Sequence, residues 1–403
     1  MRLSPLVLAA CILGPAAAQP PSRELFNQID SITRELEAIS GLKLRHAVPS
    51  DFITKENVNA FLKQRIKEVA KPEEIRAEEM TLKKFGLVPA DFELERTTVD
   101  LLTEQAAAFY DFREKKLYLA AWTPSALQDV ALIHELAHAL ADQHFKLKKF
   151  LDRGPDDDSA LARQAIVEGQ ASWVMSEYMA RQVGQSLKDS PQLATATIQA
   201  SSLAATQFPV FGAAPLYLQE TLMFPYTAGM LFQQAVVEKS GREAFAEVFR
   251  RPPASSQQVL HPERYFEGAA PARPALSSVR LPGGYKKLLD GTLGELDHQI
   301  LLRQYVGEEE ARRLAPAWRG SRYALWENAR EGRTVLYYAV EWVGEAEAAR
   351  YLAHYRKICG QKWKRLEVES EQAGQVTGSG DDGRFQWTLR GSAFSSVEGL
   401  PPQ

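Results

Sequence analysis

Cysteine is close to absent: Cys11 and Cys359 are the only two in 403 residues. Cys11 falls in a stretch expected to be removed, which leaves Cys359 without a partner. An internal disulfide and a thiolate-ligated metal are both excluded. Basic clusters are missing too. The 48 Lys and Arg residues are scattered and offset by 51 Asp and Glu, for a formal net charge of −3, which argues against a nucleic-acid partner. Beyond the N-terminal leader no apolar run reaches membrane-spanning length. Without covalent staples, stability has to come from a packed core, and a chain of this length with 45% hydrophobic residues can build one.

The opening "MRLSPLVLAACILGPAAAQPPSRE" has a short positive start at Arg2, an apolar run from Leu6 to Gly14, and the small residues Ala16, Ala17 and Ala18. This is the form of a secretory signal peptide over residues 1–18, and it predicts export to the periplasm or the outside. Pro5 and Pro15 bracket the run and count against an ordinary folded helix. Leu8-Ala9-Ala10-Cys11 also has the outline of a lipobox, so lipid anchoring through Cys11 is the alternative.

Helical spacing prevails from Arg23 to Val69, with a stop at Gly41, and again through "EEIRAEEMTLKKFGL" to Gly86. "AAAFYDFREKKLYLAAW" (Ala106 to Trp122) sets two aromatic-rich runs about a charged turn and predicts a β-hairpin. A long helix follows through Phe145, with Ser125 as its expected N-cap. After the loop "RGPDDDSA", a second long helix covers "LARQAIVEGQASWVMSEYMARQV". Residues 190–250 read as helix interrupted at "QFPVFGAAP" and at Pro225. "AAPARPALSSVRLPGG" is rich in Pro, Ala, Ser and Gly and marks a linker. Beyond it, "RTVLYYAVEW" and "RFQWTLRGSAFSSV" are strand-like around the helical "GEAEAARYLAHYRKI". The chain is thus expected to be α+β. A mainly helical domain with a small hairpin sheet covers 19–270, a linker 271–290, and a small α+β accessory domain 291–403. Within the first domain, 19–85 is the N-terminal helical part, 86–185 the core and 186–270 a helical lobe.

The chemistry is concentrated in "ALIHELAHALADQHF", Ala131 to Phe145. Residues four apart on a helix share a face. His134 and His138 therefore present two imidazoles to one point, as a cation with nitrogen ligands at ~2.0 Å needs. Glu135 lies about 100° further round, poorly placed to ligate but within reach of a water beside the ion. A third protein ligand is required, and without cysteine it has to be histidine or a carboxylate. Glu168, on the next long helix and 30 residues past His138, is the best placed. A charged glutamate on an apolar face is costly unless paired or metal-bound. Ala165, Gly169, Ala171 and Ser172 around it are small, so that helix is expected to come close to the first. Glu177 is the alternative ligand. Asp142, one turn past His138, is expected to orient a ligand histidine. His144 lies too far along to ligate and reads as structural or supporting.

The order His134, Glu135, His138, Glu168 resembles that of the gluzincin zinc metallopeptidases, the group containing thermolysin, and Asp142 stands where that group often has an aspartate. The resemblance implies one Zn2+ held by His134, His138 and Glu168, with Glu135 as general base. It also implies a zincin-like metallopeptidase domain over 19–270, with its metal core at 86–185, and a hairpin near Tyr110 to Leu119 that offers an edge strand to an extended peptide. There is one departure. Thermolysin-like enzymes have an Asp one turn after the Glu ligand, where this chain has Ser172, and that bears on the support of one ligand histidine. The segments "HELAHALADQHF", "VEG", "FPYTAG" and "PPASSQQVLHPERY" also resemble those of a group of exported bacterial proteins, over about residues 85–345.

Peptide hydrolysis needs a donor for the developing oxyanion besides the metal. His261, in "LHPERYF" after a Pro-Pro turn, is the first candidate, followed by Tyr265 and Tyr226. The expected partner is a peptide or protein substrate. The competing reading is a non-catalytic zinc-binding or scaffold protein of the cell envelope, which would have no use for Glu135.

Overall fold

A computed structural model describes residues 23–372 and 374–402, so the leader expected at 1–18, with Cys11, lies outside the described residues. Ile32, Leu36 and Ile39 recur at helical spacing and are all buried on helix α1 (Ile29–Ser40). The helix stops where Gly41 takes a left-handed φ of 76°. The chain then extends into strand β1 (Ser50–Ile53), inside a span expected to be helical. Helices α2 (Lys55–Val69), α3 (Pro72–Phe85) and α4 (Leu94–Gln105) lead to the hairpin of β2 (Ala108–Asp111) and β3 (Lys116–Ala120). β1 was missed because its partner is distant in sequence. It pairs in parallel with β3, Phe52 opposite Leu119, giving the order β1-β3-β2.

Helix α5 (Ser125–Phe145) carries the histidine motif. Its capping position is held by Pro124 rather than by Ser125, which is the first helical residue. After the short α6 (Leu147–Leu151) comes α7 (Asp157–Gln182), capped by Asp156, whose carboxylate accepts the Ser159 amide at 2.9 Å. The residues of α7 from Ala165 to Val174 are buried without a break. A helix covered all round is a central one.

Helices α8 (Gln192–Ala205) and α9 (Pro209–Ala213) precede α10 (Leu216–Ser240). Pro225, expected to interrupt this region, sits inside α10. A proline forfeits one backbone hydrogen bond, but here the packing of α10 along α7 holds the helix together. The two cross backbone to backbone at a glycine pair. A Cβ built on Gly169 would lie 2.1 Å from the carbonyl carbon of Gly229, and one built on Gly229 would lie 2.3 Å from the Ala165 oxygen. The small residues Ala165 and Gly169 therefore admit α10, where the sequence suggested they would admit α5. Helices α11 (Ala244–Arg250), α12 (Ser256–Leu260) and α13 (Pro262–Glu267) complete the helical region. No described helix is long and apolar enough to cross a membrane.

The C-terminal part contains β4 (Lys286–Gly291), α14 (Glu295–Tyr305), α15 (Glu308–Leu314), β5 (Trp318–Asn328), β6 (Arg333–Trp342) and α16 (Glu345–Lys362). Strands β7 (Leu366–Gln372), β8 (Gln375–Gly380), β9 (Gly383–Arg390) and β10 (Ala393–Leu400) follow. They form an antiparallel sheet in the order β4-β5-β6-β10-β9-β8-β7. Helices α14 and α16 cover one face, where Tyr338, Tyr351, Tyr355 and Phe394 pack edge to face or tilted. The Pro-rich run expected as a linker lies across the other face. Leu276, Val279 and Leu281 pack on Ala324, Val335, Tyr337 and Val397, and the Tyr337 hydroxyl donates to the Val279 carbonyl at 2.8 Å. The molecule is α+β, a helical region followed by an antiparallel sheet. Phe85, at the end of α3, joins their cores through edge-to-face contacts with Tyr323 and Tyr338.

Candidate metal centre

Helices α5 and α7 bring His134, His138 and Glu168 together. The Nε2 atoms of the two histidines are 3.0 Å apart, and each lies 3.2 Å from Glu168 Oε2. All three side chains are buried, with at most 1% of any of these residues exposed. Each Nε2 carries either one proton or one lone pair, so no protonation pattern turns all three contacts into good hydrogen bonds. A cation does satisfy them. Ligand atoms around a tetrahedral ion with bonds of 2.0–2.1 Å are about 3.3 Å apart, close to the spacing seen. His134, His138 and Glu168 could therefore hold a metal ion.

The protonation states suit such a role. Burial raises the Glu168 carboxyl, but the charge of His138 and hydrogen bonds from both imidazoles outweigh it and hold the group down to about 2. Burial lowers His134, keeping its imidazole neutral. A carboxylate and neutral imidazole are the forms that bind metal. Glu168 Oε1 and His134 Nδ1 are buried without hydrogen-bond partners.

Glu135 is fully buried beside the triad, and no other side chain bonds its carboxylate. Burial first, and the charge of Glu168 second, push its carboxyl well above the usual range, against a smaller opposing pull from the Tyr110 backbone. That backbone belongs to β2. The Ala120 amide bonds the Ala107 carbonyl at 2.9 Å, so Ala107, Phe109 and Asp111 turn their backbone groups toward β3. Ala108 and Tyr110 turn theirs the other way, toward an edge with no further strand among the described residues.

Other expected site residues go elsewhere. Both Asp142 oxygens are engaged, by the Tyr110 hydroxyl at 3.2 Å, Lys115 Nζ at 2.5 Å and the Leu147 amide at 2.8 Å. Asp142 therefore ties the hairpin turn to the end of α5 and does not orient a ligand histidine. Ser172 is buried one turn past Glu168 but bonds neither histidine, which leaves His134 Nδ1 unsupported. Glu177, the alternative ligand, is bound to Arg181 Nε and the Leu187 amide, each at 2.8 Å. His144 accepts from Arg45 at Nδ1 and donates from Nε2 to the Lys43 carbonyl, a structural tie.

Of the oxyanion candidates, Tyr226 is beside the triad, its ring stacked 6.1 Å from that of His134. His261 is turned to Glu295, with Nε2 to Oε1 at 2.7 Å, and this hydrogen bond raises its pKa. Its partner is 34 residues away in sequence, which is why the loop alone did not reveal the pairing. The Tyr265 hydroxyl donates to the Arg251 carbonyl in the core. Sequence reasoning missed Phe112, whose ring meets that of His138 edge-on at 6.2 Å. Its only signal was its place in the hairpin turn.

Residues 285–403 match a family described as a domain of unknown function, DUF8575. No curated protein and no solved structure shows a match. The metal triad lies wholly outside the matched segment.

Proposed function

We propose that this protein is an exported, zinc-dependent metallopeptidase of the gluzincin type. The observation that carries the proposal is the meeting of His134 Nε2, His138 Nε2 and Glu168 Oε2 within 3.2 Å, next to a buried Glu135 that no other side chain engages. Zinc bound there would polarise a carbonyl and bring the pKa of water to ~7. Glu135 accepts a proton from the attacking water at a carboxylate oxygen and returns it to the departing amine, worth roughly 10² to 10⁴ in rate.

The near-complete burial of the triad favours a second reading, a closed metal site without catalysis. Glu135→Gln separates the two. The peptidase reading expects the variant to keep its zinc and lose peptide cleavage by 10² or more, whereas equal cleavage by both proteins would overturn it.

A further inference from the structure

The loop "LHPERYF" takes no part in the metal centre, yet it ties two parts of the molecule together. His261, between α12 and α13, places Nε2 2.7 Å from Oε1 of Glu295, the first residue of α14. Glu295 is buried, and its other oxygen accepts from the Gln257 side-chain amide at 2.7 Å. The same amide donates to the carbonyl of Trp318, where β5 begins, at 2.7 Å. Arg264 donates to the Pro316 carbonyl at 3.2 Å. His261, Gln257 and Arg264 thus reach from the helical region to the C-terminal part. This seam is rich in carboxylates. Asp297 accepts the Gly294 amide at 2.7 Å and Asp158 of α7 accepts the Ser256 amide at 3.0 Å, and both are buried. Among the described residues no Lys or Arg forms an ion pair with Glu295, Asp158 or Asp297, so His261 is the group that brings Glu295 a positive charge. Of the other charges around the imidazole, the exposed Glu263 has Oε1 3.7 Å from Nδ1 and favours its protonated form, while Arg264 opposes it. Helix α10, also packed on α12 and α13, brings Lys239, which lies over the Phe266 ring.

We propose that this seam is a pH-sensitive clasp between the helical region and the C-terminal sheet, closed by protonated His261 and loosened as pH rises. A protonated imidazole gives the buried carboxylate a charge-assisted bond, roughly twice as strong as a neutral one. Loss of that proton leaves Glu295 as a buried anion facing a neutral ring, a costly arrangement. The hydrogen bond to Glu295 raises the His261 pKa against the opposing pull of burial. The folded state then holds the proton more tightly, so the clasp contributes fully below pH 6.5 and is lost as pH rises through the higher folded value. Asp158 and Asp297 act in the same sense. Burial raises both, Asp297 to about 6, so their ionisation on the way to neutrality also weakens the seam. The clasp does not depend on the metal triad, since Glu168 lies ten residues, or about 15 Å, further along α7 than Asp158.

Deuterium exchange of the full chain at about pH 5.5 and about pH 8.5, with the intrinsic pH dependence of exchange removed, tests this. Protection of α14 is expected to fall on the alkaline side by about tenfold or more relative to that of α16, which lies in the same C-terminal part but outside the seam. In His261→Gln, which keeps a neutral hydrogen-bonding group, that relative fall should shrink several-fold. Equal pH dependence of α14 and α16 in the parent overturns the proposal. So does an undiminished fall in the variant, because the response would then come from groups other than His261. Both proteins carry the same metal ligands, so the titration of those ligands cancels between them. Should the variant not fold, the comparison of α14 with α16 in the parent decides the matter.

Discussion

Gly169→Ala sets two physical effects against each other. Glycine inside a helix costs about 1 kcal/mol relative to alanine, so propensity alone makes the substitution stabilising. The added Cβ, however, would lie 2.1 Å from Gly229 C and 2.3 Å from Gly229 O, both backbone atoms that cannot rotate away. Ordinary contact begins near 3.4 Å, so α7 and α10 have to separate by more than 1 Å at their crossing. Overpacking of this kind costs roughly 1–3 kcal/mol, and a backbone clash belongs at the upper end. The net expectation is a loss of about 1–2 kcal/mol, or several degrees in the melting temperature. Glu168 is the neighbouring residue. A shift of about 1 Å far exceeds the roughly ±0.2 Å within which metal bonds stay good, so zinc affinity should fall at least tenfold. Thermal unfolding with and without zinc, combined with chelator competition, reads both quantities. A variant that melts at or above the parent with unchanged zinc affinity would refute the close-crossing argument.

Asp142→Ala strands the buried Tyr110 hydroxyl and the Leu147 amide, and should cost roughly 2–3 kcal/mol in urea unfolding. Zinc affinity should stay within a few-fold, since Asp142 bonds no ligand; a tenfold drop would restore it as an orienting group. Asp297 supplies a pH test. Burial, against a hydrogen bond from the Gly294 amide, raises its folded pKa to about 6 from 3.8. The folded state then holds the proton more tightly, so this group's contribution is full below pH 3.8 and lost as pH rises through 6. Relative to the parent, Asp297→Asn should therefore gain up to roughly 3 kcal/mol between pH 4 and pH 6. A pH-independent difference between the two proteins would show that Asp297 titrates normally when folded.

The local features were legible because they are periodic. Histidines four apart, the aromatic runs around Asp111 to Lys115, and the stops at Gly41 and Gly86 all depend on neighbours in sequence. Glu168 was legible for a different reason, as a charge on an apolar helix that needed a partner. What escaped was set by distant partners. β1 forms because β3 offers an edge, and His261 is claimed by Glu295. Asp142 points to the hairpin because Tyr110 and Lys115 arrive there, and Pro225 stays helical because α7 packs along its helix. The strap over residues 276–281 has linker composition, yet its few apolar residues find the open face of the sheet.

Zinc content of the purified protein, compared with that of Glu168→Ala after equal exposure to zinc and removal of the excess, tests the central claim most directly. Joint ligation by α5 and α7 predicts about one ion per chain in the parent and almost none in the variant. The same content in both, or none in either, would contradict it.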